Sequence, residues 1–111
     1  MFSHESKLDL VADAIEAGFT VVLHVIMIPE SLAVQRVAYR VRAGGHAVPE
    51  NKIRQRYARL WPLVAQAATL ADTATFYDNS AVDGPRVVAQ LSGGSVVGAT
   101  EWPVWTPAEL L

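Results

Sequence analysis

Cysteine is absent from this chain, which excludes a disulfide framework, a thiolate nucleophile and a zinc-thiolate site. A cysteine-free chain fits the cytoplasm, and that is the expected location. No apolar run approaches the roughly 18 residues that a membrane-spanning helix needs. The N-terminus MFSHESKLDL lacks the basic-then-apolar plan of a signal peptide, so no membrane partner is expected. The three histidines, His4, His24 and His46, are far apart, and none has a carboxylate or second histidine at ligand spacing. No protein-built metal site is expected. The phosphate-loop pattern GxxxxGK[ST] occurs nowhere, and the glycines of SGGSVVG are not followed by Lys-Ser/Thr, so they are rejected as a nucleotide cradle.

Acidic residues are nearly missing from one stretch. Between Arg36 and Arg59 lie seven of the nine lysines and arginines, with Glu50 as the sole acid, a local charge of +6 in a chain whose total is -2. A solvated surface normally intersperses both signs, so this asymmetry points to an anion site. The total charge weighs against the alternative of nucleic-acid binding. What the chain has in quantity is apolar material. With 111 residues, 51% hydrophobic and 18% charged, it suits one domain with its own core.

Residues 7–17 place Leu8, Val11, Ala12 and Ile15 at helical spacing, with Ser3 as a capping candidate and Gly18 as the closing residue. Residues 19–28, FTVVLHVIMI, form an almost unbroken apolar, β-branched run ended by Pro29 and predict a strand buried on both faces. His24 inside it reads as a core histidine. A second helix opens at Glu30 or Ser31 and stops at Gly44-Gly45, with Arg36 and Arg40 on one face. A third starts near Glu50, with Ile53, Tyr57, Leu60 and Val64 in one stripe, and Pro62 predicts a break or bend in it. Residues 75–77 and 86–91 are short strand candidates, SGGSVVG can turn a final hairpin, and EWPVWTPAELL reads as an extended tail. Trp61, Trp102 and Trp105 are expected to close the core. The fold class is α/β: a single domain with a small, mainly parallel sheet and flanking helices.

On the third helix Arg54 and Arg56 flank the apolar stripe, whereas Lys52 and Arg59 lie further toward solvent. Guanidinium groups are always charged and bind phosphate oxygens in bidentate fashion, so arginines from two helices meeting at a glycine turn can close over phosphates. Any single arginine is more readily read as solvated or paired with a carboxylate elsewhere; it is the cluster that favours an anion site. His46 in that turn can touch a phosphate or cap the preceding helix. Asp78, Asn79 and Ser80 can line a ligand pocket, and they are also ordinary turn formers.

Three segments in one order, RVAYRVRAGGHAVPENKIRQRY, then RLWPLV, then ADTATFYDNS, resemble the C-terminal part of the zeta-toxin-type P-loop kinases. The opening FSHESKLDLVADAIEAGFTVVLHV is similar to the helix-strand unit that precedes the arginine-rich lid in that family. The resemblance covers essentially the whole chain. It implies a partial, three-layer P-loop NTPase-like domain spanning residues 1–111. It also implies chemistry: transfer of phosphate from Mg-ATP or Mg-GTP to a small hydroxyl substrate, which in the best-known toxins is UDP-N-acetylglucosamine.

Carried over by position, Arg40, His46, Arg54 and Arg56 match the lid, where basic side chains meet the transferred phosphate, Arg40 and Arg54 foremost. Ser3 and His4 match the end of the substrate-side segment. Asp78, Asn79 and Ser80 match a loop near the nucleotide. The family's phosphate-binding loop and the strand carrying its catalytic aspartate are not in this sequence. Such a chain is expected to be inactive alone, as a portion of a longer kinase would be. The competing expectation is a non-catalytic interaction module that dimerises or binds a partner such as an antitoxin through an open sheet edge.

Overall fold

The computed structural model describes residues 6–44 and 49–111. Ser6–Glu16 forms helix α1. Gly18 ends it at a φ of +90°, with Gly18 N donating to Ile15 O and Phe19 N to Ala14 O, the paired bonds of a Schellman close. The chain then enters β1 (Val22–Met27), α2 (Glu30–Arg42), α3 (Glu50–Leu70), β2 (Thr73–Asp78), β3 (Arg86–Ser92) and β4 (Ser95–Val96). A 3-10 turn, Ala108–Leu110, lies near the end of the tail.

The strands form one open sheet in the order β1-β2-β3-β4. β1 and β2 are parallel, and β2 to β3 and β3 to β4 are antiparallel. The sheet is therefore mixed, not mainly parallel. The reason is local: the connections after β2 and β3 are too short for the helical crossover that parallel pairing demands, whereas α2 and α3 together supply one between β1 and β2. A register shift between Phe76 and Tyr77 interrupts the β2/β3 ladder.

α1 and α2 pack against α3, and α3 packs on the sheet at β1. The core between them contains Val25, Met27, Trp61, Val64, Ala68, Ala74, Phe76 and Val88. Trp102, Trp105 and Leu110 of the tail close over it, with the Trp102 ring edge-on to Phe76 at 5.2 Å. The tryptophans thus take the core role expected of them. Three other expectations fail. β1 is buried on one face only, because Val25 and Met27 point into the core while Val22, His24 and Ile26 are exposed. His24 is accordingly no core residue, and among the described residues no second helical layer covers β1, so the three-layer arrangement is not found there.

α3 also runs unbroken through Pro62. The bond that proline removes would have reached the carbonyl of Ala58, and both Ala58 and Pro62 are on the exposed side, where water can satisfy it.

Candidate functional site

The carboxyl ends of β1 and β2 lie side by side, Asn79 N extending the ladder by donating to Met27 O at 2.9 Å. Each strand delivers its following segment to this end: Ile28 and Pro29 lead into α2, and Asn79 and Ser80 begin the loop to β3. Ligands of open α/β sheets bind in the region outside the carboxyl ends of parallel strands. Tyr57 pins α3 here, its hydroxyl donating to Ile28 O at 2.8 Å. Burial raises its phenol above the ordinary value, and the charge of Glu30 adds to that.

α2 crosses this end with its basic face. Arg36 Nη2 donates to Asn79 O at 3.2 Å, joining residues 43 positions apart in the chain. One turn further, Arg40 lines an open groove of about 520 Å³ with Leu32, Arg36, Tyr39 and Arg42. Arg40 and Arg42 make no ion pair among the described residues. They sit in the last turn of α2, where positive charge also complements the helix's negative end.

Arg54 is placed differently. It lines a second cleft of about 530 Å³ with Glu30, Ser31, Tyr57, Trp61 and Trp105. Its Nη1 lies 3.4 Å from Glu30 Oε1 and its Nε 3.6 Å from Glu50 Oε2. Arg40 and Arg54 therefore line separate clefts, and Arg54 already has carboxylate partners. Arg56 is exposed on α3 and lines neither cleft. Ser3, His4 and His46 lie outside the described residues.

Asp78 is buried, at 8% exposure, and occupied. Its Oδ1 accepts from Ser80 N at 2.9 Å, which is the turn-forming use of the residue, and its Oδ2 accepts from Arg86 Nη2 at 3.2 Å. Arg86 Nη1 reaches Glu101 Oε2 at 3.0 Å. Burial pushes the Asp78 carboxyl up, but the hydrogen bonds from Ser80 and Arg86 and the charge of Arg86 outweigh it and leave its pKa below the ordinary value. Asn79 enters through its main-chain oxygen, not its side chain. Sequence reasoning missed Arg86 as a member of this region, and no signal pointed to it; Arg36 was legible from the basic stretch and its four-residue spacing from Arg40, but its bond to Asn79 O was not.

These features define an open mixed α/β domain with a cationic helix at the carboxyl ends of its parallel pair. The chain matches no protein-family model, no curated protein and no solved structure. The zeta-toxin-type reading rests on the sequence segments that carry it.

Proposed function

We propose that this chain is the lid-bearing, C-terminal portion of a zeta-toxin-type kinase, binding nucleotide phosphates through the arginines of α2 and not turning them over alone. The observation that supports the reading best is the Arg36 to Asn79 bond, which fastens a helix carrying Arg36, Arg40 and Arg42 to the ligand end of the parallel strands. Guanidinium donors suit phosphate oxygens, so Mg-ATP or Mg-GTP is the proposed cofactor and a small hydroxyl compound, UDP-sugar-like, the proposed acceptor. Among the described residues no group of three or more His, Cys, Asp or Glu side chains could hold a metal.

Within the reading, Arg40 is the phosphate-facing residue and Arg36 positions α2. Arg54 joins when an anion draws it from Glu30 and Glu50. Isothermal calorimetry with ATP, GTP and pyrophosphate tests this. Binding that Arg40→Ala weakens about tenfold or more in a folded protein supports it. Undiminished binding in that variant, or none by the wild type at millimolar ligand, removes it.

A further inference from the structure

One peptide unit, that between Asn79 and Ser80, is held from both ends. Ser80 N donates to Asp78 Oδ1 at 2.9 Å, and Asn79 O accepts from Arg36 Nη2 at 3.2 Å. In a planar trans peptide the N–H and C=O of one unit point in opposite directions. The carboxylate that takes the N–H therefore also sets where the carbonyl points, and it points to Arg36. The unit before it is fixed as well, because Asn79 N donates to Met27 O at 2.9 Å.

Asp78 is itself braced. It closes β2 in register with Met27 of β1 and Arg86 of β3. Its side chain is buried, its Oδ2 accepts from Arg86 Nη2 at 3.2 Å, and Arg86 Nη1 is tied to Glu101 Oε2 at 3.0 Å. α2 has no such anchorage of its own. None of its residues is buried, so the Arg36 bond is a tie that fixes how the helix lies on the strand ends.

We infer that Asp78 is a positioning residue for α2: through the 79–80 peptide it aims the carbonyl that Arg36 grips, and so orients the cationic face of the helix. Charge adds to geometry. An ionised acceptor strengthens the bond from Ser80 N, and hydrogen bonds in a chain polarise one another, which makes Asn79 O the better acceptor for a guanidinium. The consequence for phosphate affinity rests on the proposed reading of α2; the coupling of Asp78 to Arg36 does not.

A double-mutant cycle in urea tests the coupling without any ligand. Arg36→Ala should raise the unfolding constant about fivefold in the wild-type background, and about twofold or less once Asp78→Ala has freed the peptide. Asp78→Asn keeps an oxygen for Ser80 N while losing the ion pair with Arg86, so in that background the fivefold effect should return. Arg86→Ala, which leaves Oδ1 on Ser80 N, should lower stability and likewise preserve the Arg36 effect. A merely structural Asp78 would give the same Arg36 effect in all four backgrounds, and that result overturns the inference.

If Asp78→Ala does not fold, the Ser80 amide proton decides, measured by NMR in Arg36→Ala, where only an exposed side chain is changed. An upfield move, the sign of a weakened bond to Asp78, supports the inference, and an unmoved resonance overturns it. Calorimetry with pyrophosphate then carries the coupling to the ligand. Asp78→Ala should weaken binding about threefold or more, Asp78→Asn should bind nearly as wild type does, and Asp78→Ala should add nothing to Arg36→Ala. Affinity that Asp78→Ala leaves unchanged overturns the inference. No binding by the wild type, with the cycle still coupled, removes the phosphate reading and supports the positioning role.

Discussion

Arg36 and Asn79, on α2 and at the end of β2, are joined by a guanidinium-to-carbonyl hydrogen bond of 3.2 Å. Arg36 thereby serves as a strut between helix and strand, and Arg40, a turn away, keeps its guanidinium available to a ligand. Substituting the two should separate these roles. Arg40→Ala is expected to lower pyrophosphate affinity about tenfold with stability changed by less than about 0.5 kcal/mol. Arg36→Ala should lower both affinity and stability, the latter by about 1 kcal/mol. Calorimetry alongside urea unfolding checks the pair.

Arg54 is held by two carboxylates on the protein surface, pairs of a kind worth about 0 to 1 kcal/mol. Replacing Glu30 and Glu50 with glutamine should therefore cost little stability and should strengthen phosphate binding, since the competing anions are gone. A phosphate titration in which the double variant binds no better than wild type would show that Arg54 takes no part.

Asp78 has a native pKa below that of the unfolded chain, near 3.8. Its contribution to stability is thus fully present well above pH 3.8 and is lost as the pH falls from there through the lower native value. Asp78→Asn should flatten this acid limb of the stability-pH curve and lower stability at pH 7, because Arg86 loses its buried partner. Chemical denaturation at a series of pH values between 2 and 7 measures both.

Tyr57→Phe removes the hydroxyl that α3 uses to hold Ile28 O. The expected loss is about 1 kcal/mol, somewhat more if the carbonyl is left without water. Urea denaturation should show a lower midpoint at an unchanged slope.

Gly94 sits at a φ of +81°, and a methyl group added there would meet Thr69 O at 3.2 Å. Gly94→Ala is expected to cost roughly 1–2 kcal/mol from backbone strain alone, with the contact against Thr69 adding to it. Gly93→Ala bears a similar strain without the contact, and its thermal midpoint should fall less.

The helices were legible in the sequence because their signals are local. Gly18 and Gly44 close α1 and α2 with positive φ, and α2 and α3 begin directly after Pro29 and Pro49. β1 was misread for a physical reason: VVLHVIMI is apolar on both alternations, which is the pattern of a strand covered on two sides, and periodicity cannot tell an uncovered apolar face from a covered one. Pro62 does not break α3, because the cost of proline depends on whether the orphaned carbonyl reaches water, a tertiary matter. The candidate site was legible as charge but not as pairing. Glu30 against Arg54, Arg36 against Asn79 and Arg86 against Asp78 each depend on how the elements fold back on one another, and residue spacing does not carry that information.

The mixed sheet has a kinetic corollary. β2 meets β3 across the loop 79–85, whereas β1 must wait for the whole α2–α3 crossover before it can find β2. Loop-closure entropy grows with the logarithm of length, a difference of roughly 1.5–2 kcal/mol between these two closures. During folding the β2–β3–β4 meander should consequently form first and β1 should dock last. Pulsed hydrogen exchange would then find β3 amides protected before those of Leu23 and Val25. In that interval the edge of β2 and both edges of the waiting β1 stand open, and the most aggregation-prone moment in the life of this chain falls before its native state is reached.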